Sequence, residues 1–166
     1  PVFVYASGDE VVADRPKLEG EVESAISSGE ELLGRLEEVF PYLRVGPRAR
    51  ASMLELSGGE PVFHQLIRHL RALNSAADAW IAGAPFSPQR ITFSPESDQT
   101  LSHGRFGPMR DFPAPEGFQE ERWSLHTKLT GGAGARMYFR AVRPGVGNVA
   151  VLIGYFGSHL PCVRYP

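Results

Sequence analysis

Cysteine is almost missing from the chain: Cys162 stands alone among 166 residues. A single thiol excludes an internal disulfide and any cysteine-rich zinc site, and it fits a reducing compartment. No apolar run approaches the roughly 20 residues that a membrane-crossing helix needs, and no signal-peptide pattern opens the sequence. These absences predict a cytoplasmic protein with no membrane partner. Several chemical signatures are missing as well: Walker loop, nucleophile elbow, H-E-x-x-H pair and EF-hand. His103, His126 and His159 have no diagnostic metal-ligand spacing. The expectation is therefore no cofactor and no metal. Acidic residues also vanish from one region, since from Arg122 onward there are six Lys or Arg and no Asp or Glu. The first residue is Pro1 rather than methionine, which implies a processed start or a piece of a longer protein.

What is present is ordinary in bulk. A 42% hydrophobic and 22% charged composition supports a core without staples, and the length suits one compact domain. The formal net charge of −2 conceals a split. Residues 1–89 carry 8 Lys/Arg against 13 Asp/Glu, whereas residues 90–166 carry 9 against 6. Non-specific coating of nucleic acid is disfavoured by the overall balance, but a local patch can still seat phosphates.

Patterning divides the chain at the same place. Residues 1–6 read as a short strand and residues 17–43 as a helical segment, interrupted at Ser27-Ser28-Gly29 and ended by Pro41. Arg44, Arg48 and Arg50 are expected in a loop. A second helix opens at Glu60-Pro61, and its stripe of Phe63, Leu66, Ile67, Leu70, Leu73, Ala76, Ala77 and Trp80 runs to about residue 82. Gly83, Pro85 and Pro88 close this N-terminal strand and helical layer, residues 1–89.

The half from 90 to 166 reads as a sheet. Residues 90–93 form a short strand, residues 94–121 are irregular, and residues 110–112 pair briefly. Three antiparallel strands follow, at 123–129, 136–142 and 149–156, joined by turns at 131–134 and 144–148. Alternation puts Ser124, His126 and Lys128 on one face with Arg136, Tyr138 and Arg140, and puts Trp123, Leu125, Met137 and Phe139 on the other. The predicted fold is α+β, with N-terminal helices packed on a four- to five-stranded, mainly antiparallel sheet that shows a basic face.

Lys, Arg, His and Tyr gathered without carboxylates suit metal-independent phosphodiester chemistry. A base takes a ribose 2′-hydroxyl proton, cations stabilise the phosphorane, and an acid protonates the leaving oxygen. The segments HTKLTGGAGARMYFRAV and VAVLIGYFGSHLP strengthen the reading, because their order and character resemble the RelE/ParE-like toxin superfamily over roughly residues 90–161. That resemblance implies a toxin-like endoribonuclease acting on RNA or the ribosome, with an antitoxin-like protein or a larger host protein as partner. By position it makes His126 the base, Lys128 the phosphate contact, Arg136 and Arg140 the charge stabilisers, and Tyr155 or His159 the acid. His103, Arg105, Arg110 and Tyr138 would then hold the nucleic acid. The chain is longer than typical members, and its helical half is acidic where theirs is basic. The opening PVFV is similar to the start of tautomerase-superfamily enzymes, but only over four residues and with no second β-α-β unit after it. Two other readings stand beside the nuclease. One is a catalytically silent module of the same fold that binds nucleic acid or a protein within a larger bacterial protein. The other is a small-molecule enzyme whose basic face takes a carboxylate or phosphate.

Overall fold

A computed structural model describes residues 25–130, 134–145 and 148–166. The expected strand at 1–6, the first part of the helical segment from 17, and most of the 131–134 turn lie outside them, as do residues 146 and 147. The fold is α+β. Five strands form a single sheet in the order β1-β5-β4-β3-β2: β1 (Leu43–Val45), β2 (Phe93–Ser94), β3 (His126–Lys128), β4 (Arg136–Gly145) and β5 (Asn148–Gly157). Neighbours pair antiparallel except β1, which runs parallel to β5 in the register Leu43 to Val151 and Val45 to Ile153. The sheet is thus mixed and mostly antiparallel.

The helical half is more broken than its periodicity suggests. Helix α1 (Gly29–Gly34) is capped by Ser28, whose hydroxyl accepts from the Glu31 amide at 3.1 Å. The Glu31 carboxylate accepts in turn from the Ser27 amide at 2.9 Å, one residue before the cap, and so ties the entering chain to the helix. After α2 (Leu36–Val39), Pro41 ends helical structure as expected, but the chain then enters β1 rather than a loop. Arg44 lies in that strand, and Arg48 and Arg50 lie on α3 (Pro47–Leu54), with Pro47 tolerated in its first turn. The long helix α4 (Pro61–Asp78) buries Phe63, Leu66, Ile67, Leu70, Leu73 and Ala77 of the expected stripe, but it ends before Trp80. Two short pieces interrupt the proline-rich stretch, α5 (Asp98–Ser102) and a 3-10 helix (Gly107–Arg110), so residues 110–112 form no strand.

One face of the sheet packs on these helices through Met137, Phe139, Val151, Ile153 and Phe156. A buried polar contact fixes α4 against β3. Thr127 donates its only hydroxyl proton to the Thr92 carbonyl at 2.9 Å, so the His69 Nδ1, 3.1 Å away, must carry the proton and donate to Thr127. Burial, helped by the charge of Arg68, pushes the His69 imidazole down to about 4 from 6.5.

Between those two pH values the unfolded chain binds more protons at His69 than the folded one. Its contribution to stability is therefore complete above about pH 6.5 and is lost as pH falls towards 4, by about 3 kcal/mol at most. His69→Asn keeps a donor near the Nδ1 position without titrating. Urea melts across this window should show a shallower acid decline for the variant than for the parent. Parallel declines would remove His69 as the cause.

Candidate active site

The sheet face that looked basic is covered. Phe112, Trp123, Tyr138, Leu152, Tyr155 and Leu160 form a second buried cluster there, separate from the helical core. Trp123 is the clearest departure from simple alternation. Its amide donates to the Arg110 carbonyl at 2.9 Å instead of to a strand, and regular pairing begins only at His126. Its ring consequently lies on the opposite face from Leu125 and rests on Gly154. A Cβ at Gly154 would come within 2.5 Å of the indole, so only glycine fits beneath it. Gly154 is also the extra residue of a β-bulge, which keeps Tyr138 opposite Tyr155 and Phe139 opposite Ile153.

Under this cover sits a carboxylate that the sequence did not advertise. Glu96 follows β2, and its amide donates to the Ser124 carbonyl at 3.0 Å. Glu96 Oε1 accepts from Arg110 Nε at 3.1 Å and Nη2 at 2.9 Å, and from the Tyr138 hydroxyl. Arg110 has no exposed surface. Its Nη1 donates to the carbonyls of Pro161 at 2.6 Å and Phe106 at 3.1 Å, and its Nη2 reaches the Leu160 carbonyl at 3.4 Å. Burial alone would raise the Glu96 carboxyl, but the Tyr138 and Arg110 hydrogen bonds and the Arg110 charge hold it below the usual range. Burial first, and the bond to Glu96 second, push the Tyr138 phenol well above its ordinary value. Arg110 and Tyr138, expected as nucleic-acid contacts, are instead buried members of a frame.

Four of the expected residues share the end of the sheet beside that frame. His126 stacks on Tyr138 with ring centres 5.0 Å apart. Its Nδ1 is 3.3 Å from the Ser124 carbonyl, which can only accept, so the proton sits on Nδ1 and Nε2 keeps a lone pair. Burial lowers its pKa most; the Ser124 bond and Glu96 oppose, while Arg136 and Lys128 lower it further. Lys128 and Arg136 are directly opposite each other in the next row of the ladder, and Lys128 is exposed. Arg136 Nη1 donates to the carbonyls of Gly134 at 2.7 Å and Ala135 at 3.1 Å, and its buried Nε has no hydrogen-bond partner among the described residues. His159 lies just beyond β5, exposed, with a pKa lowered by partial burial and by Arg136, against the pull of Glu96. Because Arg110 grips the carbonyls of Leu160 and Pro161, the backbone that carries His159 is fixed to the same frame.

The other expected residues lie elsewhere. Arg140 is held under Trp123, its guanidinium 5.1 Å from the ring, with Nη2 donating to the Gln119 carbonyl at 2.6 Å and Nη1 2.8 Å from Glu121. Tyr155 is half of a stack with Phe112 at 4.9 Å, beneath Arg48, and its hydroxyl donates to the Ser158 carbonyl at 2.8 Å. Burial raises its pKa, which suits a packed phenol better than a proton donor to substrate. His103 and Arg105 stay exposed on a turn, where His103 stacks on Phe106 at 4.5 Å and its Nδ1 accepts from the Arg105 amide. Among the described residues no group of three or more His, Cys, Asp or Glu side chains is arranged to hold a metal ion. No helix among them is long and apolar enough to cross a membrane. No family model, curated protein or solved structure matches the chain.

Arg110→Met should cost about 3–5 kcal/mol, because it leaves Glu96 buried without its counter-charge. Glu96→Gln should also destabilise, since it strips the charge opposite Arg110. Chemical denaturation of both single variants and the double variant checks the coupling, and the double should lose at least about 1 kcal/mol less than the sum. Strict additivity would show that the two groups do not depend on each other.

Proposed function

We propose that the chain is a RelE-like endoribonuclease that cleaves RNA without metal at the sheet end bearing His126, Lys128, Arg136 and His159. The observation that supports this reading most is the state of His126, an imidazole with its proton on Nδ1 and Nε2 free, whose neutral form burial and the charges of Arg136 and Lys128 favour. In this scheme His126 Nε2 takes the 2′-hydroxyl proton and the 2′-oxygen attacks phosphorus. Lys128 and Arg136 balance the charge of the phosphorane. Protonated His159 then gives its proton to the departing 5′-oxygen, leaving a 2′,3′-cyclic phosphate. Arg140 and Tyr155 have no part in it, which narrows the set implied by resemblance alone. A second reading has one observation in its favour. His126 is only 9% exposed, and a face so covered also suits a silent module that binds RNA or a protein partner at its rim.

Purified protein should cleave RNA in EDTA and leave cyclic phosphate ends. His126→Gln should slow cleavage by about 10²–10⁴, and Arg136→Ala by about 10²–10³. The base works deprotonated and the acid protonated, and both histidines titrate below 6.5. The rate should therefore rise and then fall with pH, with its maximum on the acid side of that value. DNA cleavage, or a strict divalent-ion requirement, would count against the nuclease. Salt-sensitive RNA binding without cleavage would favour the silent module.

A further inference from the structure

On the helix side of the sheet, away from His126, α4 and the loop that follows it frame an open surface cavity of about 620 Å³. Its floor is small and apolar, with Ala72 and Ala76 one helical turn apart, and its wall is formed by Trp80 and Ile81. The wall is rigid. Trp80 Nε1 donates to the Ala84 carbonyl at 2.8 Å, and Phe86 meets the ring edge-on at 5.1 Å. Arg143 lies over the indole at 4.5 Å and donates to the Trp80 carbonyl. Ile81, by contrast, is 75% exposed, an apolar side chain left at the mouth of an already ordered concavity.

Among the described residues, Arg68, Arg71 and Arg90 line the cavity and no carboxylate does. Arg68 and Arg90 make no ion pair or side-chain hydrogen bond among the described residues. Arg90 also holds a left-handed backbone with φ of 66°, the one non-glycine residue to do so among those described. Such a conformation is disfavoured for arginine and persists where surrounding structure imposes it.

We propose that this cavity binds a small organic anion, an apolar body ending in a carboxylate. The volume falls in the range of small-molecule sites, and a mostly apolar lining with a few convergent polar groups is their usual character. An uncharged ligand would leave the guanidiniums of Arg68 and Arg90 unused, and a bare inorganic anion would leave the apolar floor and wall unused. A carboxylate offers two oxygens to the fork geometry of arginine. The proposal stands independently of the nuclease reading.

Decanoate below its self-association concentration is a suitable probe, titrated calorimetrically into the full chain. Saturable binding with one site is expected, with decanol and inorganic phosphate each weaker by about tenfold or more, the loss from omitting a charged hydrogen bond or the apolar contacts. Arg68→Gln with Arg90→Gln, both on exposed positions, should weaken decanoate by a similar factor while leaving decanol unchanged. Ala76→Phe, which fills the floor, should abolish binding of both, with folding verified by circular dichroism. Absence of saturable binding, equal affinity for decanol, or an unaffected arginine double variant would overturn the proposal.

Discussion

Everything on the second face of the sheet depends on the buried guanidinium of Arg110. It touches a carboxylate after β2, a carbonyl before the 3-10 helix, and two carbonyls near the C-terminal end of the sequence. These segments are far apart in sequence and rich in proline and glycine, so they have little regular hydrogen bonding of their own. A planar group with five donors can satisfy several acceptors from different directions at once, which a lysine cannot do. The desolvation of that charge is offset because Glu96 lies against it and the carbonyls occupy the remaining donors. Once it is placed, Phe112, Trp123 and Leu160 can lie on the strands as a second core.

That second core changes what the sheet face can do. A row of cations and histidines read as open surface would be a broad electrostatic patch. With the aromatic cover in place, accessible chemistry is confined to the end of the sheet where Lys128 and His159 remain exposed. The same cover strips water from His126 and favours its neutral form. Burial here leaves only part of the expected basic face open to solvent.

The parts of this arrangement that were legible in the sequence are those governed by local patterning. The stripe of α4 and the β4–β5 hairpin follow from periodicity and turn residues, and alternation puts His126 and Lys128 on one face with Arg136 and Tyr138, while their pairing in rows is set by the register. Long-range choices were not legible. β1 is three residues long and finds its partner more than 100 positions away, so nothing near it announces a strand. Trp123 changes face because the chain is still irregular there, and period-two reasoning holds only inside a paired strand. Glu96 gives no signal in the sequence, because a single acid beside a proline belongs to no motif. The aromatic residues Phe106, Phe112 and Phe118 in the irregular stretch were the available sign that it packs rather than floats.

The parallel pairing of β1 with β5 has a consequence for synthesis. Chains emerge from the ribosome in order, and β1 with its flanking helices leaves long before residues 148–157 are made. The apolar surfaces of Leu43 and the helices around it are destined for Val151 and Ile153, so they must wait, exposed, for the last strand. Loop closure over that span is slow compared with forming a hairpin, and the interval is one in which a nascent chain can associate wrongly. In sequence, residues 1–89 carry 13 Asp/Glu against 8 Lys/Arg, a net negative charge that opposes association of unfinished copies during that interval.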